Sequence, residues 1–167
     1  MGKGSSESFI VDTSAFISLA SIGLFKDIIK SFTIITTSSV IKELKEFAMH
    51  NDDLGKLARH ILRKKSKLKI QKAKIIQSIH FLQRTDNELF NLALKEKLPL
   101  ITDDHKLNHH TQNVITVYFS TFFLVMFLAA GKIAKPEALS KLEVLRNARN
   151  WKSNIIYLTT KEQLENI

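Results

Sequence analysis

The sequence predicts an α/β fold in which a parallel-rich central sheet is covered by helices on both faces. Three observations predict it. Short apolar runs without internal alternation recur along the chain, as they do in strands buried on both faces. Between them lie longer stretches whose apolar residues repeat at helical spacing. The two kinds alternate, which is the pattern of strand–helix–strand units rather than of a sandwich or a bundle. A chain of 167 residues has the length of one domain and buries a sizeable core without staples.

Residues 1–8 are small and polar and read as a loose terminus. Phe9-Ile10-Val11 is the first strand and ends abruptly in Asp12. Thr13-Ser14 then caps a helix carrying Phe16, Ile17, Leu19, Ala20 and Leu24 at helical spacing. Phe32 to Thr36 is a second strand. Ser38-Ser39 caps the next helix, with Val40, Ile41, Leu44 and Phe47 in its apolar stripe and Glu43 off it. Asn51-Asp52-Asp53 is a turn and cap before a stripe of Leu54, Leu57, Ala58, Ile61 and Leu62. A short strand over Leu68-Lys69-Ile70 lies inside the basic run Arg63 to Lys74.

Ile75 to Leu82 reads as helix. Thr85-Asp86 caps a helix containing Leu89, Phe90, Leu92, Ala93 and Leu94. Leu98 to Thr102 is another apolar strand ending in acid, Asp103-Asp104, and Val114 to Tyr118 is one more. Phe119 to Ala130 is an apolar helix, and Pro136 suits the first turn of a long one. From Trp151 the tail is a loop and a terminal helix capped near Thr159-Thr160. No repeat or flexible linker divides the chain. The expected organisation is a main α/β domain over 9–118 with a helical extension, 119–167, packed on it.

Composition narrows the function. The formal charge is +9, from 25 Lys and Arg against 16 Asp and Glu, which attracts polyanions. The chain has no cysteine. That excludes disulfides, iron–sulfur clusters, thiolate zinc sites and cysteine nucleophiles, and suits a reducing cytosol. No apolar run follows a basic start, so no signal peptide is expected. The stretch Phe119 to Ala130 is well short of the roughly 20 residues that cross a bilayer. A cytoplasmic protein without a membrane partner is expected.

In open α/β sheets ligands bind beyond the carboxyl ends of the strands. Asp12 and Asp103-Asp104 follow strands there, Asp86 opens a helix feeding that edge, and Glu43 sits in the first turns of another. Each alone is an ordinary cap. Together they repel one another, which calls for protonation or a cation. Oxygen-only ligands suit Mg²⁺ or Mn²⁺, ions that position a phosphodiester and activate water.

Four segments carry a family resemblance. Val11-Asp12-Thr13-Ser14-Ala15-Phe16-Ile17 resembles the opening motif of PIN domains, and Ser39-Val40-Ile41-Lys42-Glu43-Leu44 is similar to their second. Thr85-Asp86-Asn87-Glu88-Leu89-Phe90-Asn91-Leu92-Ala93 resembles the third, and Leu100-Ile101-Thr102-Asp103-Asp104 the fourth. Order and spacing agree over roughly residues 8–118. The stretch Phe122 to Gly131, followed by a Pro-started helix, resembles the tails of prokaryotic toxin-like members such as the VapC group.

The resemblance implies a three-layer PIN fold and a metal-dependent endoribonuclease that cleaves RNA by two-metal-ion attack of water. It places Asp12, Glu43, Asp86 and Asp104 in catalysis and metal binding, with Asp103 as a fifth metal-binding acid. Ser14 and Thr102 are expected to hydrogen-bond a carboxylate or an RNA phosphate. Lys64, Lys65 and Lys67, in the central basic run, are expected to track RNA, against the plainer reading of a solvated face. The resemblance also implies a homodimer and either an antitoxin partner or a role in RNA processing. The apolar segment from Phe119 argues for a dimer independently, since a helix apolar all round needs complete cover. His105, His109 and His110 lack the further ligand that a zinc site requires. The alternative function is a non-catalytic RNA-binding protein on the same fold.

Overall fold

The computed structural model describes residues 7–151 and 154–167. Its centre is a five-stranded sheet, all parallel: β1 (Ser8–Val11), β2 (Thr33–Thr37), β3 (Lys69–Gln71), β4 (Leu100–Ile101) and β5 (Val117–Tyr118). The order is β3-β2-β1-β4-β5. The chain builds outward from β1 in one direction, then returns to its other side for β4 and β5. Phe9, Ile10 and Val11 point alternately to opposite faces, yet all three are buried. Helices therefore cover both faces, which explains why this strand reads as a continuous apolar run.

The helices are α1 (Thr13–Ser21), α2 (Phe25–Ser31), α3 (Ser38–Ala48), α4 (Asp53–Leu62), α5 (Arg84–Glu96), α6 (His105–Thr111), α7 (Phe122–Ala129), α8 (Lys135–Ala148) and α9 (Ile155–Asn166). Several boundaries depart from the sequence reading. Ser8 belongs to β1, while the rest of the expected loose terminus, except Glu7, lies outside the described residues. Asp12 caps α1, not Thr13-Ser14: its carboxylate accepts the Ala15 N–H at 2.7 Å. The single helix expected through Leu24 is two, because Gly23 turns the chain with φ of +73°, a conformation open to glycine. Thr37 rather than Ser38-Ser39 caps α3. Gln83 rather than Thr85-Asp86 stands at the N-cap of α5, and Asn154 rather than Thr159-Thr160 caps α9. Asp52 caps α4 as expected.

The hairpin of α3 and α4 is unusually close. A Cβ on Gly55 would lie 1.9 Å from the His50 carbonyl oxygen, so only glycine fits there. Arg59 closes the same corner by donating to the carbonyls of Ala48 and His50 at 2.6 and 2.8 Å.

Ile75 to Leu82 is not helical. Two buried asparagines on α5 take over its backbone. Asn91 Oδ1 accepts the N–H groups of Ile76 and Gln77, both at 2.9 Å, and its amide donates to the Gln77 carbonyl at 2.7 Å. Asn87 accepts from the Ile79 N–H at 2.7 Å and donates to the carbonyls of Ile79 and Leu82. A side chain that satisfies backbone groups competes directly with the helical ladder.

The C-terminal helices complete the core. Phe123 is fully buried, with its ring 5.1 Å from that of Phe9 and 5.5 Å from that of Phe32. No residue of Phe122 to Leu128 is exposed, because α8 and α9 pack over α7, and Thr160 donates to Thr121 at 2.8 Å. The chain itself supplies cover for Phe123, Leu124 and Phe127, and leaves Phe122, Val125, Met126 and Leu128 half-buried. Replacing Phe123 with Ala should cost about 3–5 kcal/mol in a single cooperative urea transition. A loss under about 1 kcal/mol would mean that α7 lies outside the cooperative core.

Candidate active site

Strand order fixes where the acids meet. β1 and β4 are neighbours, but the chain reaches them from opposite directions, which makes the crevice beyond their carboxyl ends the switch point of the sheet. Asp12 follows β1, and Thr102-Asp103-Asp104 follow β4. A cleft of about 430 Å³ opens at this edge, lined by Asp12, Glu43, Asp86 and Asp104 among others. Four expected catalytic acids, from four separate segments, thus share one cleft.

Asp12 is held on every side. It is 5% exposed. One carboxylate oxygen accepts from the Ala15 N–H at 2.7 Å, and the other from the Thr102 hydroxyl at 2.5 Å. The Ser14 hydroxyl lies 2.9 and 3.0 Å from the two oxygens and donates to the carboxylate. Thr102 in turn accepts the Asp104 N–H at 3.0 Å, and Ser14 accepts the Asp103 N–H at 2.9 Å. The ends of β1 and β4 are thereby tied through one carboxylate. Burial pushes the Asp12 carboxyl up to about 7, helped by the neighbouring Asp103 and opposed by these hydrogen bonds.

The other acids are anchored by their own segments. Glu43, half-buried on α3, accepts from the Thr13 hydroxyl at 2.5 Å. Asp86, in the first turn of α5, accepts the Gln83 N–H at 3.3 Å. Partial burial pushes Asp86 up to about 6, with Asp104 and then Glu43 adding repulsion and Lys106 relieving a little of it. Asp104 caps α6 by accepting the N–H groups of Lys106 and Leu107 at 2.7 and 3.1 Å.

The other expected residues divide: Ser14 and Thr102 hydrogen-bond a carboxylate, that of Asp12, while Asp103 and the central lysines stand away from the cleft. Asp103 does not line the cleft. Its oxygens accept the Ser120 N–H at 2.8 Å and the Ser120 hydroxyl at 2.7 Å, which ties β4 to the start of the α7 segment. Thr102 is completely buried, so its hydroxyl orients Asp12 and is out of reach of any polymer. Ser14 borders the cleft with its hydroxyl committed to Asp12. Lys64, Lys65 and Lys67 precede β3, and in an all-parallel sheet that puts them at the edge opposite the acids. Lys72 and Lys74 follow β3 and emerge toward the acidic edge. The three histidines do not converge on one point: His105 sits 3.0 Å from the Asn154 amide, while His110 stacks on Phe81 with His109 beside it.

Sequence reasoning passed over Lys106, Thr13 and Gln83, which also line the cleft. Lys106 had a signal, a base two residues after a motif acid. Thr13 had none, because its pairing with Glu43 spans 30 positions.

Among the described residues no group of three or more carboxylates and imidazoles is gathered tightly enough to hold a metal ion as it stands. The donor chemistry nevertheless fits a hard divalent cation: oxygen ligands only, with two carboxyls raised by burial and mutual repulsion. Asp12, Glu43, Asp86 and Asp104 are the residues that would hold it.

The raised values have a stability consequence. Between the ordinary Asp value of 3.8 and about 7 for Asp12, or about 6 for Asp86, the native state binds more protons than the unfolded chain. Stability from these groups is therefore full below the lower value and is lost as pH rises through the upper one. Without metal, the melting temperature should fall as pH rises from about 4 to about 7. Asp86→Asn keeps an acceptor for the Gln83 N–H and removes the charge. It should raise the melting temperature by about 1–3 °C near pH 8 and leave it unchanged near pH 4, as read by calorimetry.

A search of curated proteins finds no match. Among solved structures, PAE2754 from Pyrobaculum aerophilum is similar with a TM-score of 0.55 and 23% identity, covering 74% of this chain and 98% of that one. A PilT N-terminus domain protein, SSO1118 from Sulfolobus solfataricus, is similar with a TM-score of 0.52 and 15% identity, covering 72% and 93%. At these identities the likeness speaks to the fold alone. A family described as the PIN domain matches residues 8–166. PIN domains are in general nucleases, typically using divalent metal ions. The match takes in all five strands and every acid of the cleft, and the chain belongs to the PIN-domain family.

Proposed function

We propose that the protein is a divalent-metal-dependent endoribonuclease that hydrolyses phosphodiester bonds in the acidic cleft. The observation that carries the reading is the confluence of Asp12, Glu43, Asp86 and Asp104 at the sheet's switch point, with Asp12 and Asp86 raised to about 7 and about 6. Acids that burial and repulsion hold above their ordinary range bind a cation favourably, because the cation relieves both. RNA as substrate is supported by the chain's charge of +9 and by the family.

A bound Mg²⁺ or Mn²⁺ supplies Lewis acidity toward the scissile phosphate and lowers the cost of deprotonating the attacking water. The chain's own residues do the rest. Ala15 N–H, Ser14 and Thr102 fix the Asp12 carboxylate in one orientation, so little reorganisation is needed when the site fills. Thr13 fixes Glu43, which would complete the cation's shell or orient water. Lys106 brings a positive charge to a phosphate entering over the acids.

Single-stranded RNA should be cleaved with Mg²⁺ or Mn²⁺ and left intact in EDTA. Asp12→Asn or Asp104→Asn should lower the rate by more than the about 10–100-fold usual for an outer-shell partner. RNA binding in EDTA without cleavage under either metal would overturn the nuclease reading in favour of a binding protein. The position of the lysines gives a separate expectation. Replacing Lys64, Lys65 and Lys67 together with Ala should leave the salt dependence of RNA affinity unchanged. Lys106→Ala should flatten its logarithmic slope by about 0.7, the loss of one phosphate contact on a single strand.

A further inference from the structure

The loop 72–83 places an aromatic ring beside the acidic cleft that the core does not need. Leu82 is buried and does the packing, whereas its neighbour Phe81 is 62% exposed. An exposed phenylalanine on a loop is ordinarily free to move. This one is fixed from below: Asn87, buried on α5, holds the Ile79 N–H at 2.7 Å and the carbonyls of Ile79 and Leu82 at 3.2 and 3.1 Å. The backbone on both sides of Phe81 is thus tied to one side chain of the helix that also carries Asp86.

The ring has a defined surface. Phe81 stacks on His110 of α6, with centroids 5.7 Å apart and planes within 19°. His80 meets the Phe81 ring edge at 5.4 Å, and His109 meets His110 at 5.2 Å. Both supports of this stack lead into the cleft. Gln83, two residues beyond Phe81, lines it, and so does Lys106, four residues before His110. On a helix that spacing puts Lys106 and His110 on one face, a turn of about 5.4 Å apart.

The arrangement is a flat aromatic surface on His110, then a cation one helical turn away on the same helix, then the carboxylates of the cleft that this cation lines. An unpaired base satisfies all of it: the base lies on the ring while its phosphate meets Lys106 and the next linkage enters the cleft. Bases of single-stranded RNA stack on Phe and His in this way, and bases inside a duplex do not offer their faces. A protein partner is a poorer fit at the ring, whose neighbours along the chain, Ser78, His80, Gln83 and Arg84, are exposed and polar; the other exposed apolar residues of the loop, Ile75 and Ile76, lie five or more positions away, where Asn91 holds the backbone.

We propose that Phe81, stacked on His110, is a base-stacking platform that receives an unpaired base next to the acidic cleft and makes single-stranded RNA the preferred ligand. The choice of RNA rests on the nuclease reading above; the platform itself does not depend on turnover. Phe81→Ala and Phe81→Trp test it, in EDTA, by fluorescence anisotropy with a short single-stranded RNA and its abasic counterpart of equal length and charge. Both variants should melt with the wild type, since the replaced ring is solvent-exposed.

Phe81→Ala should bind the single strand about 10-fold more weakly with the same salt slope, and should bind the abasic strand as the wild type does. Phe81→Trp should restore affinity, and its exposed indole should be quenched by the base-bearing strand only. The natural Trp151 is 5% exposed and supplies the constant background. Unchanged affinity in Phe81→Ala, an unquenched indole, or equal binding of a duplex would overturn the platform. So would loss of self-association in Phe81→Ala in place of loss of RNA. The two proposals fail separately. Phe81-dependent binding without cleavage under any metal removes the nuclease and keeps the platform, whereas cleavage with Phe81-independent binding does the reverse.

Discussion

The buried carboxylate of Asp12 is the contact through which the centre of the sheet and the candidate site are held together. It ends β1, caps α1 through Ala15, and takes the Thr102 hydroxyl at the end of β4. Through Thr102 and Ser14 it also fixes the backbone of Asp103 and Asp104. A charge at 5% exposure is costly unless its oxygens are satisfied, and here every donor comes from the elements that shape the cleft. The same burial that raises this carboxyl to about 7 makes the cleft receptive to a cation. Architecture and chemistry therefore share one residue, and a substitution there acts on both.

Sheet polarity sorts the remaining charges. Because all five strands run the same way, residues that follow strands gather at one edge and residues that precede them gather at the other. Asp12 and Asp104 follow β1 and β4, Asp86 lies in the first turn of α5, and Glu43 stands one turn further into α3. Lys64, Lys65 and Lys67 precede β3 and are carried away from them, though in the sequence they belong to the same basic stretch, Arg63 to Lys74, as Lys72 and Lys74. Lys106, isolated in the sequence, is the base that shares the cleft with the acids. Electrostatic steering by a net charge of +9 acts over the whole surface, but contact at the reacting phosphate is a matter of edge.

Two asparagines show how side chains can decide backbone. Ile75 to Leu82 contains enough apolar residues to suggest a helix, yet Asn87 and Asn91 claim its N–H and carbonyl groups from α5. The result is a fixed irregular loop whose outward residues include Phe81. At α7, by contrast, Phe123, Leu124 and Phe127 are buried beneath α8 and α9 and against the Phe9 and Phe32 rings, as their apolar character suggests.

The sequence by itself determined the alternation of strands and helices, the strand cores around Ile10, Ile35 and Ile101, and the four motif acids Asp12, Glu43, Asp86 and Asp104. These are legible because each rests on local patterning: apolar runs, helical spacing, and, for Asp12, Asp86 and Asp104, an acid at a strand or helix terminus; Glu43, in the middle of α3, was legible through its motif. Only the tertiary structure decided which neighbours those residues meet. It turned Asp103 away to Ser120, committed Thr102 and Ser14 to Asp12, sent the central lysines to the far edge, and stacked Phe81 on His110. Such pairings join positions up to 90 residues apart. They are fixed by strand order and by which buried polar groups find partners, and neither leaves a periodic signal in the chain.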